Sequence, residues 1–336
     1  MRRLARLTTA LPFSILAIIG CAPDETPTGP GSGEEVTVPS LALASNSWVA
    51  RANLPSGRHG LALGVAKNAS GRDIVYAIGG YDTGDNHTNV ANTVAAYDYA
   101  TNTWSNKASM PAGLAHPNGV GNIGGKLYVS GGVREIANDN AENLRYLFVY
   151  DPLRNSWSRK ADMPKATSDG VTGVINGKLY VATFGRLYRY TPSSNTWTTL
   201  ASSPYAHFAG AGGVISGKLY VAGGNASDGG GTGTQLHVYD PATNRWTAKA
   251  PMPTGRTWVA GAVLKNKLYI IGGRGATELR TVEAYDPATN KWTSKKPMLT
   301  AREQLDAATF VTPSGNPKIL AVGGWEYRKA NELYTP

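Results

Sequence analysis

The sequence predicts an all-β fold, a six-bladed β-propeller of four-stranded units closed by the strand nearest the N-terminus. Three observations carry that prediction. A segment built on Tyr-Asp-Pro-x-x-Asn-x-Trp recurs, with variation, at residues 97–104, 150–157, 190–197, 239–246 and 285–292, and the chain stops at Tyr334-Thr335-Pro336, one strand short of another copy. In phase with it runs a β-branched and aromatic stretch ending in a glycine pair, as in IVYAIGG (74–80), KLYVSGG (126–132), KLYVAGG (218–224) and KLYIIGG (267–273). Glycine supplies 40 of the 336 residues while charged residues make up only 17%. Such a composition suits short strands and tight turns, and argues against a helical bundle, a coiled coil or a disordered chain.

In chain order, residues 1–20 come first, with a basic start at Arg2, Arg3 and Arg6 and an apolar run from Leu11 to Ile19. The run is too short to span a bilayer and has the plan of an export signal. Ile18-Ile19-Gly20-Cys21 resembles a bacterial lipobox. That resemblance implies cleavage before Cys21, lipidation of its side chain and new amino end, and a lipid anchor in the bacterial cell envelope. Ala22 after the cysteine implies the outer membrane, with the folded part periplasmic or surface-exposed. Because Cys21 is the single cysteine, no internal disulfide and no thiolate metal cluster is expected. Residues 21–45 are rich in Pro, Gly, Thr and Glu without an apolar period, the composition of a flexible tether.

Residues 46–336 hold the repeats. Each unit reads as an inner strand of small residues, such as GAGGVI (210–215), then the LYV-Gly-Gly strand, the VYDP strand and the Asn-x-Trp strand. One such sheet cannot bury both faces, but stacking it on the next does. Small residues suit the inner strands, which converge at the axis, and tryptophans suit the wider outer gap. Asp-Pro-x-x-Asn is a turn, in which Pro presets φ and Asn tolerates the left-handed region. The isolated Ser45-Asn46-Ser47-Trp48 supplies the strand missing after Pro336, so the ring closes and loses two exposed edges. The pattern from 48 to 336 resembles the kelch repeat family, in which about 50 residues make one blade. It departs from the pattern where Thr183-Phe184 replace the glycine pair of blade 3.

Irregular segments follow the glycine pairs and lie on one rim, where binding functions usually reside. The start of each inner strand reaches the same rim, and its aligned fifth position reads Arg58, Leu114, Thr167, His207, Arg256 and Arg302. Three arginines in blades that become neighbours on closure predict a positive arc at the channel mouth, faced by His116 and His207. In kelch relatives, arginines near this position can bind carboxylates, so the resemblance implies an anionic group on the ligand; the alternative is that each arginine packs against its blade and pairs with a loop carbonyl. Arg274, Trp325 and Tyr81 follow their glycine pairs directly, and Trp258, two residues after Arg256, is expected to point the same way from a strand. The candidate ligand residues are thus Arg58, His116, His207, Arg256, Arg274, Arg302 and Trp325.

The expected ligand is a protein, a peptide or a glycan. Catalytic motifs are missing, and the histidines at 59, 87, 116, 207 and 237 lack metal-ligand spacing, so no catalytic residue, metal or cofactor is assigned. The formal charge of +10 is scattered over the repeats and forms no stripe, which excludes nucleic acid as partner. The resulting expectation is a monomeric, non-catalytic, extracytoplasmic binding module. The alternative is a periplasmic sugar-modifying enzyme such as a sialic-acid epimerase, a reaction known on a six-bladed kelch fold.

Overall fold

The computed structural model describes residues 44–82, 89–136, 140–226, 231–326 and 328–336. Cys21, the export signal, the tether up to residue 43 and His87 lie outside these. Every regular element among the described residues is a strand.

Six four-stranded antiparallel sheets form the blades. The inner strands are Ala62–Lys67, Val120–Ile123, Val171–Ile175, Ala211–Ile215, Ala260–Leu264 and Asp306–Val311. Each touches the inner strands of both neighbouring blades, so the ring is closed. The second strands carry the LYV pattern, from Asp73–Ile78 in blade 1 to Pro317–Val322 in blade 6, and the third strands carry VYD, from Val94–Asp98 to Asn331–Thr335. The outer strand of blade 6 is Ser47–Ala50, which pairs antiparallel with Asn331–Thr335 and sets Trp48 opposite Tyr334. The N-terminal strand therefore closes the ring.

The core consists of slabs between adjacent blades. Tyr76, Ile78 and Val94 of blade 1, for example, pack on Leu127, Val129, Phe148 and Tyr150 of blade 2, and the blade 6 to blade 1 junction repeats this with Phe310, Leu320 and Leu333 against Leu63, Val75 and Tyr97. Inner-strand glycines let the blades approach. A Cβ on Gly121 lies 2.3 Å from Leu179 Cδ1, and one on Gly213 lies 2.5 Å from Val263 Cγ2. A side chain at either position would force the Leu179 or Val263 side chain of the next blade to shift.

The Tyr-Asp-Pro-x-x-Asn-x-Trp segment is a clasp between blades as well as a turn. Its Asn takes a left-handed φ, between 49 and 54 degrees in Asn46, Asn102, Asn155, Asn195, Asn244 and Asn290. The Asn Oδ1 accepts the hydroxyl of the motif's own Tyr at 2.6–2.9 Å. It also accepts the N–H of the residue leaving the previous blade's outer strand, at 2.9–3.0 Å. The motif's Trp donates Nε1–H to the carbonyl of that same residue at 2.8–2.9 Å. Across the closure, Asn46 and Trp48 from one end of the chain and Tyr334 from the other make the same clasp on Lys296.

Blade 3 departs from the repeat in a defined way. Its second strand runs on to Thr183, which pairs with Arg186, and Phe184-Gly185 turn the chain with φ of 46 and 72 degrees. Two successive left-handed residues are the geometry of a tight two-residue hairpin. Blade 2, by contrast, builds part of its rim segment into a further hairpin, Val133–Ile136 with Asn140–Asn143.

Candidate binding site at the channel mouth

Each inner strand is entered through one residue of left-handed φ: Gly60, His116, Asp169, Ala209, Trp258 and Gln304, with φ from 49 to 58 degrees. These residues join head to tail. The N–H of Gly60 donates to Gln304 O, His116 to Gly60, Asp169 to His116, Ala209 to Asp169, Trp258 to Ala209 and Gln304 to Trp258, at 2.7–3.2 Å. The result is a closed hoop of backbone hydrogen bonds around the channel, one link per blade. A left-handed backbone is unstrained for Gly60 and disfavoured for His, Trp or Gln, by about 1 kcal/mol or more each. The chain places large side chains there nonetheless, and the hoop holds them.

Those side chains fill the mouth. Trp258 in blade 5 reaches His116 in the opposite blade 2, with ring centroids 5.1 Å apart, and meets Phe208 at 5.5 Å. His116 lies over Gly60, where a Cβ comes within 2.8 Å of its ring. Asp169 Oδ1 accepts from His116 Nδ1 at 2.8 Å, and Ser168 Oγ donates to Asp169 Oδ2 at 2.7 Å. Gln304 Oε1 accepts from His59 Nδ1 at 2.7 Å. Behind this first row, buried His59 stacks with Tyr81 at 5.1 Å and meets Trp325 edge-on at 4.7 Å.

Below the hoop is a cavity of about 160 Å³, lined by the hoop residues and the first residues of the inner strands. Asp306 is on its wall, accepting Leu63 N–H on Oδ2 and Ala307 N–H on Oδ1, both at 2.7 Å. Protein encloses this carboxyl on every side but the cavity, and burial pushes its pKa up to about 7.

The arginine arc is not at this mouth. Arg256 and Arg302 are 0% exposed and Arg58 2%. Each guanidinium turns back into its own blade and binds carbonyls at the end of the second strand, or in blade 1 also just before the third: Arg58 to Gly79 O and Thr93 O, Arg256 to Ile270 O and Arg302 to Gly323 O. Arg256 faces Glu283 and Arg302 faces Glu332, each at 3.2 Å. Burial pulls both arginines down to about 10, so they stay charged at neutral pH. His207 fills the same place in blade 4. Its Nδ1 donates to Gly223 O at 2.8 Å, its Nε2 faces His237 Nδ1 at 2.9 Å, and burial pulls its pKa down to about 4. These four residues are intrablade braces, which corrects their reading as ligand contacts. Arg274 is half exposed, but its Nη1 binds buried Glu303 at 2.8 Å. Trp258 does not follow Arg256 in direction, because its left-handed φ breaks the alternation of an extended strand. Of the seven candidate ligand residues, the structure brings His116 and Trp325 into the mouth cluster, and the aromatics Trp258 and Tyr81 noted in the sequence lie there too.

A family model described as the KLHDC2/KLHL20/DRC7 Kelch-repeats domain matches residues 120–324, and a Kelch motif model matches residues 67–111. The chain belongs to the kelch-repeat family. Kelch-like protein terF of Aspergillus terreus is 28% identical over 178 residues, 52% of this chain and 36% of that protein. Beta-scruin of Limulus polyphemus is 28% identical over 145 residues, 42% of this chain and 15% of its own length. The matched kelch region thus spans about a third or less of these relatives. A solved structure titled "Structure of YjhT" superposes with a TM-score of 0.65 at 17% identity, over 83% of this chain and 98% of the other, which shows a shared fold.

Within the kelch repeat, the hoop residues form one aligned column, two positions after the brace. The signal for them was present in the sequence: this column reads Gly, His, Asp, Ala, Trp and Gln in repeats that are otherwise regular. Trp258, Asp169, Gln304 and Asp306 are the site residues that sequence reasoning did not select for binding.

Proposed function

We propose that this kelch propeller is an extracytoplasmic binding module, held by lipid at Cys21 on a tether in the bacterial envelope, whose recognition surface is the channel mouth. Kelch propellers serve generally as binding modules, and the basic, apolar and Gly-Cys order of the first 21 residues supports export. The observation that carries the choice of surface is the hoop. Trp258, His116, Asp169 and Gln304 occupy strained positions where the equivalent Gly60 and Ala209 show that small residues suffice. The ligand is a protein, peptide or glycan, and the propeller acts as a monomer. Binding partners recovered from envelope extract on the full chain but not on the Trp258→Ala chain support this reading. Equal recovery on both places recognition elsewhere.

A second reading, a sugar-modifying enzyme, is favoured by one observation. The His116–Asp169 pair and the Asp306 carboxyl line the same cavity, and imidazole and carboxyl groups are common proton-transfer groups. Catalysed exchange between sugar anomers, followed by NMR and lost in His116→Ala, decides for it.

A further inference from the structure

Resting on the reading of the mouth as the recognition surface, we propose that its ligand is a neutral pyranose, a sugar ring of an uncharged glycan, laid against the indole of Trp258. Three features of the mouth converge on that chemistry. First, the hoop consumes its own backbone: each N–H and each C=O of Gly60, His116, Asp169, Ala209, Trp258 and Gln304 is spent on the next link. A peptide therefore finds no strand edge to pair with there, and recognition falls to side chains.

Second, the cavity and mouth carry the wrong charge for an anion. Among the described residues that line them there is neither Lys nor Arg, while Asp169 and Asp306 are both present. The arginines of the rim that were candidates for a carboxylate are spent on carbonyls or on Glu283, Glu303 and Glu332. An anionic sugar placed under Trp258 meets two carboxyl groups and no Lys or Arg.

Third, the side chains that remain match a sugar ring. A pyranose has an apolar face of C–H bonds, which an indole π-face attracts, and a rim of hydroxyls, which need acceptors and donors of fixed direction. Trp258 is the flat plate, mostly buried but with part of its surface open. Asp169, oriented by His116 and Ser168, and Gln304, oriented by His59, are planar acceptors on hoop positions. Phe208 behind the indole and Gly60 beneath His116 fix the plate and its neighbour before any ligand arrives, which lowers the ordering cost of binding.

The test is calorimetric and ligand-detected NMR titration of the full chain. The probes are methyl β-pyranosides of glucose, galactose and mannose and their uncharged oligomers, beside N-acetylneuraminic acid and a random-peptide pool. At least one neutral sugar is expected to bind, with affinity unchanged between low and high salt. Trp258→Ala should weaken it by about tenfold or more, and Asp169→Asn by less. Ala209 already occupies an equivalent hoop position, so Trp258→Ala keeps the fold, checked by an unchanged melting curve. Silence from every neutral sugar overturns the proposal. Trp258-dependent binding of peptides or of the anionic sugar alone also overturns it, while leaving the mouth as the recognition surface. Sugar binding that Trp258→Ala leaves untouched overturns both.

Discussion

Arg302 and Asp306 show how far a single residue's role depends on where its side chain goes. The sequence alignment put Arg302 on the rim, where its removal costs binding and spares the fold. In the structure its guanidinium is enclosed and braces Gly323 O and Glu332. Removing one partner of a buried charged pair costs about 3–5 kcal/mol. Arg302→Ala is thus expected to lower stability by about that much in urea unfolding; a loss below about 1 kcal/mol contradicts the brace. Asp306 has the opposite sign. Its pKa rises on folding to about 7, so the stability tied to its protonated form is complete below the ordinary aspartate range and is lost as pH rises towards 7. The slope from this group reaches about 1.4 kcal/mol per pH unit. Asp306→Asn should flatten that part of the pH–stability curve between about pH 4 and 7; an unchanged slope shows that the carboxyl is ionised throughout. The alignment column of the braces was legible because repeats align by residue number. The direction of its side chains was not, since a left-handed residue two positions later turns the chain and decouples neighbours that a strand keeps in register.

At the scale of the element, the repeated Tyr, Asn and Trp were legible as turn and packing residues, and the structure adds a clasp that no spacing reveals. The partner of Trp104 and Asn102 is Ala52, which belongs to the previous blade. Trp104→Phe keeps most of the packing and loses one neutral hydrogen bond, at about 1 kcal/mol, while Trp104→Ala also loses the ring's packing on Tyr97 and should cost about 2–3 kcal/mol. Asn102→Ala removes the acceptor for both Tyr97 and Ala52 and the left-handed preference, so it should cost more than Trp104→Phe. A double-mutant cycle between Asn102 and Trp104 measures whether the two act as one clasp. Additive losses mean that they do not.

For the whole molecule, closure was readable because one repeat is split, with a lone Asn-x-Trp strand near residue 48 and the other three strands between 306 and 335. The proposed recognition surface was less so. The regular repeats pointed to the brace column, whereas the mouth is made by the irregular one beside it, and its cross-channel contact joins His116 to Trp258 only once the ring has closed. Export and anchoring at Cys21 are testable on the intact chain. Cys21→Ser should move the protein from the membrane fraction to the soluble envelope fraction, and unchanged partition rules out the lipid anchor. The indole N–H region of the NMR spectrum reads the mouth most directly. The clasp tryptophans, at 48, 104, 157, 197, 246 and 292, hold their N–H on backbone carbonyls, and should not move when the mouth is occupied. Titrating the full chain with the neutral pyranosides and with the peptide pool, and assigning Trp258 by its absence in Trp258→Phe, should shift the Trp258 signal and leave the clasp signals in place. A stationary Trp258 signal in the presence of a bound ligand, or movement of the clasp signals instead, contradicts recognition at the channel mouth.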